Sequence, residues 1–100
     1  MLPKKNRLGA AEVREVLKKG RPLRASNLTV KYIEGQGGKA AVVVSKKIAR
    51  TAVRRNAIRR SIYGALPRPF PSGAHVVFLV QKSILDYTSD IKTICSKLFS

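Results

Sequence analysis

The sequence predicts a small α+β domain, a single α/β sandwich built on one sheet. The 100 residues leave room for one hydrophobic core, and 44% of them are hydrophobic, so the chain should fold. Apolar residues recur at helical spacing in three segments, and they alternate or run together in the segments between. The predicted order of elements is helix, two or three strands, helix, strand, helix.

The first helix is predicted over residues 10–19. Val13, Val16 and Leu17 lie at positions i, i+3 and i+4, which share one helix face. Gly20 follows at a position where helices commonly end.

Strands are predicted on either side of a glycine-rich turn. Alternating apolar and polar residues over 27–32 are typical of a half-buried strand, and residues 23–25 either extend it or supply one more. The glycines of 35–38 predict a turn that joins a hairpin. The apolar run 40–44 predicts a strand with both faces covered.

The second helix is predicted over residues 51–66 and carries a row of arginines. Apolar residues at i, i+4, i+7 and i+8 form its core stripe: Ile58, Ile62, Ala65 and Leu66. At 100° per residue, a polar flank falls beside this stripe: Arg55, Asn56, Arg59 and Arg60. Arg54 falls on the side of the stripe itself, and the sequence offers no partner for it.

The rest of the chain supplies one strand and one helix. Prolines and a glycine between residues 67 and 73 form a connection, and the apolar run 76–80 predicts a buried strand. A loop over 83–89 holds a helix cap, Thr88 or Ser89. Helical spacing then predicts an amphipathic C-terminal helix through Ile91, Ile94, Cys95 and Leu98. No repeat or long linker divides the chain, so residues 1–100 are interpreted as one domain.

The charge of the chain is strongly one-sided. Lys and Arg number 21 against 5 Asp and Glu, which gives a net charge of +16, and no carboxylate occurs between Gly35 and Leu85. Such a block repels itself and persists most naturally where a polyanion neutralises it. Aromatic residues are few, and only Tyr32 and Tyr63 look free to stack on bases. RNA or DNA binding through backbone and shape is therefore favoured.

Several other kinds of protein are excluded. One Cys and one His cannot form a zinc site or a disulfide framework, and the scattered acids cannot form the metal cluster of a nuclease. His75 and Cys95 are interpreted as structural residues. No apolar run is long enough to span a bilayer and no secretory signal is visible, so we expect a cytoplasmic protein without a membrane partner. By itself the polypeptide is expected to have no catalytic and no metal-binding residues.

Four motifs together resemble the bacterial ribonuclease P protein subunit. They are Lys5-Asn6-Arg7-Leu8, the segment from Glu12 to Gly20-Arg21, Val44-Ser45-Lys46-Lys47, and Arg55-Asn56-Ala57-Ile58-Arg59-Arg60. The resemblance covers nearly the whole chain. It implies an α-β-β-β-α-β-α sandwich, a fold type also found as a domain of a small-subunit ribosomal protein. It also implies a left-handed crossover between parallel strands, where the general rule expects a right-handed one.

The same resemblance implies a function. The family's protein binds a large catalytic RNA, ribonuclease P RNA, and the 5′ leader of precursor tRNA. The RNA performs the Mg²⁺-dependent cleavage that removes the leader, so Mg²⁺ is expected to be bound mainly by the RNA. No protein partner is required.

By position, the resemblance implies two sets of site residues. The RNA-binding set is Lys46, Lys47, Arg50, Arg54, Arg55, Asn56, Arg59 and Arg60. The leader-binding cleft, between the first helix and the sheet, is formed by Lys5, Asn6, Arg7, Val13, Leu17 and Tyr32. Ala57 stands where the family usually has an arginine, and Val13 and Leu17 stand where aromatics are frequent. The missing rings predict weaker leader binding than is usual, and plain core packing is an equal alternative for Val13 and Leu17.

Two other functions stay open on the sequence. A structural RNA-binding protein, such as a ribosomal protein or an RNA chaperone, shares the charge and the fold class but activates no ribozyme. A protein-only nuclease is disfavoured because the sequence lacks a carboxylate cluster.

Overall fold

The computed structural model describes residues 4–67, 73–84 and 86–99. After a short 3-10 turn, seven elements follow in chain order: α1 (Ala10–Lys19), β1 (Arg21–Arg24), β2 (Leu28–Gly35), β3 (Lys39–Val43), α2 (Ala52–Ala65), β4 (Gly73–Val80) and α3 (Thr88–Phe99). The predicted α-β-β-β-α-β-α order is confirmed, and the open question about residues 23–25 is answered by a separate strand, β1.

The four strands form one mixed sheet in the order β1-β2-β4-β3. β2 pairs antiparallel with both β1 and β4, and β3 runs parallel to β4. The β3-α2-β4 unit is therefore a crossover between neighbouring parallel strands; its left-handed sense stays a prediction.

The predicted hairpin across the glycine-rich turn is wrong. β4 lies between β2 and β3, and it takes this central position because Val76, Val77 and Phe78 are buried on both of its faces. The turn is nevertheless present, with Gly37 at a φ of 66° that glycine adopts without strain. The hairpin of this fold joins β1 and β2, where the Ala25 N–H donates to the Leu28 carbonyl at 2.8 Å.

The larger core lies between one face of the sheet and the helices α2 and α3. Its buried residues include Val30 and Phe78 from the strands, Ile62 from α2 and Ile94 from α3. The core stripe predicted for α2 is confirmed, with Ala65 only partly buried. The connection after Pro67 was predicted on residues that include 68–72, which lie outside the described part of the chain.

Helix α1 packs on the opposite face of the sheet against β2 and β4. Val16 is its fully buried residue. The helix ends at Gly20, as predicted, where the glycine N–H donates to the Val16 carbonyl at 2.7 Å. A Cβ at Gly20 would collide with that carbonyl oxygen, so this close turn requires glycine.

Helices α2 and α3 begin differently from each other. Thr51 caps α2 by accepting the Arg54 N–H at 3.1 Å. The cap predicted for α3 was Thr88 or Ser89, but Thr88 is already the first helical residue. The carboxylate of Asp86 accepts both the N–H of Thr88 at 2.9 Å and its hydroxyl at 2.6 Å, and these bonds lower the pKa of Asp86.

Two burial predictions are also wrong. Val43 ends β3 with 36% of its surface exposed, because α1 does not extend over this end of the strand. Tyr63 is only 7% exposed and belongs to the larger core, so it is not available to stack on a base. Within the ranges that the structure describes, no helix is long and apolar enough to cross a membrane.

Candidate nucleic-acid interface

The amino end of α2 concentrates positive charge. Its first turn contains no acidic residue but carries Arg54 and Arg55. Helix N-termini are positive ends of the helix dipole and normally favour Asp or Glu there. Two guanidinium groups at this end are unfavourable in the free protein, and a bound anion would relieve the repulsion.

Arg55 attaches the segment before α2 to the helix. Its Nη1 donates to the carbonyls of Ala49 and Arg50, each at 3.0 Å. That segment is itself a tight turn, in which the N–H groups of Ile48 and Ala49 both donate to the backbone carbonyl of Ser45. The turn presents three exposed basic residues beside the helix: Lys46, Lys47 and Arg50.

Further along the helix, Arg59 donates to the amide oxygen of Asn56 at 2.9 Å. This contact fixes the amide with its oxygen turned toward Arg59. Beneath lies Tyr63, whose pKa is raised by burial, while Arg59 and Arg7 oppose that effect. The Tyr63 ring therefore belongs to the core beneath the α2 arginines and not to the exposed surface.

Arg54 lies on the other flank of the helix. Its Nη2 and Nε donate to the Ser83 hydroxyl at 2.9 and 3.3 Å. The partner that the sequence did not reveal is thus a serine in the loop before α3. Seven members of the RNA-binding set form one surface, called here the α2 surface: Lys46, Lys47, Arg50, Arg55, Asn56, Arg59 and Arg60. Arg54 borders it from the far side.

The described carboxylates make their contacts away from the α2 surface. Glu12 pairs with Lys39 at 3.1 Å and Glu15 with Lys19 at 3.6 Å, and Asp90 accepts the side-chain amide of Asn27 at 2.9 Å. Across residues 4–67, 73–84 and 86–99, no ion pair involves the α2 surface. Its charge is therefore available to an external anion.

A cleft opens beside α1 on the smaller side of the sheet. Glu12 holds one flank of α1 to Lys39, and helical geometry turns Val13 and Leu17 to the other flank, which borders the uncovered end of the sheet where Val43 lies. Val13 and Leu17 are half-buried. Each side chain therefore packs partly against the protein and leaves part of its surface exposed to the cleft. By strand register, Thr29, Lys31, Val43 and Leu79 share the α1 face of the sheet. We call the region that they form with α1 the α1–sheet cleft: Val13, Leu17, Thr29, Lys31, Val43 and Leu79.

The α1–sheet cleft continues to the α2 surface. A cavity of about 290 Å³ at the ends of β3 and β4 includes Val43, Leu79 and Lys47 among its lining residues. Lys47 is therefore shared by the cavity and the basic turn. One continuous surface therefore extends from the α1–sheet cleft to the basic turn before α2.

Tyr32 does not lie in this cleft. Successive strand residues point to opposite faces, and Tyr32 packs against the larger core. Lys31 is the residue on the α1 side, where its Nζ donates to the Leu17 carbonyl at 3.1 Å. The sequence prediction placed the neighbouring residue in the cleft, a shift of one position that reverses the face.

The N-terminal arm also lies outside the cleft. Asn6 donates its side-chain amide to the Gly38 carbonyl at 2.6 Å, and Arg7 forms a parallel bridge with Ala40. The arm therefore extends along the outer edge of β3, with Lys5 exposed at its start. Of the six residues predicted for the leader-binding cleft, Val13 and Leu17 lie together there.

His75 and Cys95 are the remaining side chains with reactive groups, and their surroundings are structural. His75 approaches the Gln36 carbonyl at 3.1 Å, and burial raises the pKa of the Cys95 thiol. Sequence reasoning missed Tyr87, which is fully buried and donates its hydroxyl to the Lys82 carbonyl at 2.7 Å, so that it fixes the loop that contacts Arg54. In the described ranges no three His, Cys, Asp or Glu side chains come together as a metal site.

A basic α/β sandwich with an arginine surface on one helix, next to an apolar cleft, defines a nucleic-acid-binding protein. Residues 2–99 match the family model described as Ribonuclease P, and the chain belongs to that family. It is thus the protein component of a ribonucleoprotein endoribonuclease that processes tRNA, with ribonuclease P RNA as the RNA component.

Solved structures show the same fold. The RNase P protein of Staphylococcus aureus is 20% identical, with a TM-score of 0.70 over 95% of this chain and 90% of that one. A mutant of the S. aureus protein with defective mRNA degradation activity gives a TM-score of 0.74 at 20% identity, over 94% and 85% of the two chains. The Thermotoga maritima RNase P protein is 22% identical, with a TM-score of 0.62 over 92% and 90%. No curated protein matches the sequence significantly.

Proposed function

We propose that the protein binds the catalytic RNA through the α2 surface and the 5′ leader of precursor tRNA through the α1–sheet cleft. The observation that carries the proposal is a row of cations on α2 with no carboxylate partner in the described residues. Such a row neutralises RNA phosphates and releases their counterions. Arg55 and Arg59 are held by short contacts, so little side-chain freedom is lost on binding.

The cleft suits a single strand rather than a duplex. It is partly apolar at Val43 and Leu79, with Lys31 of β2 at one end and Lys47 of the α2 surface beyond the other. An extended strand can place its bases on the apolar part and its phosphates at the two ends. Its position beside the α2 surface lets one protein hold a leader against the catalytic RNA.

Mg²⁺ belongs to the RNA in this proposal. When bound among RNA phosphates, it activates water and stabilises the charge that develops on the reacting phosphate. The protein's cations reduce the repulsion between the two RNAs, so less Mg²⁺ is required to bring them together. We propose that the protein acts on these RNAs in the cytoplasm.

Reconstitution tests the proposal. Purified protein, a bacterial ribonuclease P RNA and precursor tRNA are mixed at low millimolar Mg²⁺, where the RNA alone is nearly inactive. We expect cleavage at the mature 5′ end, and none with protein alone. Tight RNA binding without cleavage, even with the RNA of the native host, would replace the proposal with a structural RNA-binding role. Cleavage of the precursor by protein from which every other RNA has been removed would indicate a protein-only nuclease.

A further inference from the structure

A shallow cavity lies at the corner of the sheet where α1 ends and β1 begins. It measures about 170 Å³ and is lined by Lys19, Arg21, Tyr32, Ile33 and Glu34. Cavities for drug-sized ligands measure about 300–1,000 Å³. An occupant of this cavity must therefore be small or lie partly outside it.

This corner is separate from the two surfaces described above. Arg21 is opposite Tyr32 in the β1–β2 pairing, and Glu34 follows two residues later, so all three share the face that carries the larger core. The α1–sheet cleft lies on the other face, and Lys19 reaches the corner from the end of α1 on the flank away from Val13 and Leu17. Two strand positions, β2 and β4, lie between β1 and β3, which keeps the corner away from the N-terminal arm on the outer edge of β3.

The side chains around the cavity have complementary chemistry for one nucleotide. Tyr32 packs partly against the core, so its ring is held in place, and a held aromatic ring stacks with any base. Lys19 and Arg21 provide positive charge for a phosphate. The ionised carboxylate of Glu34 only accepts hydrogen bonds. It therefore favours a base with an exocyclic amino group, such as the N4 amine of cytosine, over the O4 carbonyl of uracil.

We propose that this corner site (Lys19, Arg21, Tyr32 and Glu34) binds one unpaired RNA nucleotide whose base carries an exocyclic amino group. The base lies against Tyr32 with its amine at Glu34, and the 5′-phosphate lies between Lys19 and Arg21. Lys19 also contacts Glu15 at 3.6 Å, but both side chains are more than half exposed. Such a pair is weak in water, so a phosphate can replace Glu15.

Nuclear magnetic resonance titration of the full-length protein with cytidine and uridine 5′-monophosphates tests the site without any large RNA. The two ligands share ribose and phosphate and differ at the group that faces Glu34. We expect shifts in the amides of residues 19, 21 and 32–34, with cytidine monophosphate bound about fivefold more tightly or better. Equal affinities, or shifts confined to the α2 surface, would overturn the proposal.

Variants separate the contributions of Glu34 and Tyr32 to nucleotide binding at the corner site. Glu34→Gln should abolish the preference for cytidine, because glutamine both donates and accepts. Asp86→Asn removes the same charge away from the corner and should keep the preference. Tyr32→Leu should weaken both nucleotides about tenfold through loss of stacking. Glu34 is exposed, so its substitution remains decisive if Tyr32→Leu fails to fold. A preference that persists in Glu34→Gln contradicts the assignment.

The nucleotide can come from the leader or from the catalytic RNA. In the assembled enzyme, a loss of affinity in Glu34→Gln that appears only with leader-bearing precursor assigns the leader. A loss in affinity for the catalytic RNA itself assigns that RNA. Unchanged affinity in both measurements would overturn the corner as an RNA contact, while leaving the α2 surface and the reconstitution result unaffected.

Discussion

Individual arginines of α2 differ in role because each makes a different second contact. Arg55 is tied to the carbonyls of the preceding turn, Arg59 to the Asn56 amide, and Arg54 to Ser83 on the opposite flank. Arg60 is exposed. Arg59 and Arg60 are therefore the pair whose removal should disturb RNA binding most and the fold least.

We predict that Arg59→Ala combined with Arg60→Ala weakens RNA binding and reduces the slope of log affinity against log salt by about 1–2 units. The reason is the loss of two phosphate contacts. Filter binding over a range of salt concentrations measures the slope. Lys92→Ala with Lys97→Ala removes the same charge from α3 and serves as the control. An unchanged slope in the α2 variant would remove these side chains from the interface.

Glu12 predicts how the stability of the fold depends on pH. Its pKa is lowered from 4.5, first because it accepts the Gly9 N–H and then because it pairs with Lys39. A carboxyl with a lowered pKa in the folded state stabilises the fold above its unfolded pKa, and this contribution is lost as the pH falls through the folded pKa. Glu12→Gln should therefore destabilise the protein near pH 7, and the difference should shrink toward pH 3.

Urea unfolding at the two pH values measures this difference. Glu15→Gln, which removes another carboxylate of α1, is the control. A destabilisation by Glu12→Gln that is equal at both pH values would show that the ionised carboxylate is not what matters.

At the scale of elements, α1 forms one wall of the cleft that is proposed to bind the leader. Val16 attaches the helix to the sheet, whereas Leu17 is only half-buried and faces the cleft. An aliphatic wall there provides contact area but no ring for stacking. Under the proposed function, α1 provides the leader with an apolar wall but with no aromatic ring for stacking.

Leu17→Phe should strengthen binding of leader-bearing precursor by about 1–3 kcal/mol, because it adds one stacking surface. Fluorescence titration with precursors of increasing leader length measures the effect, and tRNA without a leader should show none. Ala11→Phe adds the same ring on the outer face of α1 as a control. Equal gains with and without the leader would place the ring outside the leader's path.

The sequence predicted the helices and strands well because periodicity and caps are local. It placed α1 at its observed limits, since Val13, Val16 and Gly20 lie within one short segment. It did not predict which strands pair, because alternation determines the face of a residue and not its neighbour. Tyr63 was misjudged for a related reason: a position on the flank of α2 becomes buried only through contact with a distant strand. The partner of Arg54 is likewise 29 residues away.

For the whole molecule, the net charge of +16 affects stability as well as binding. Self-repulsion disfavours the compact state, and added ions screen it, since the Debye length falls to about 10 Å at 0.1 M. We predict that the melting temperature rises with sodium chloride, and rises further with sodium sulfate at equal ionic strength because sulfate also binds the cation clusters. Calorimetry measures both, and a melting temperature that is independent of salt would contradict the prediction.

The central position of β4 has a consequence for biosynthesis. β2 and β3 leave the ribosome with a vacant position between them, and the strand that fills it is made only after α2. Until residues 73–80 emerge, β3 lacks its parallel neighbour and the core beneath α2 is incomplete. Until then, a nascent chain carries the α2 arginines on a helix whose apolar face lacks the β4 part of its core.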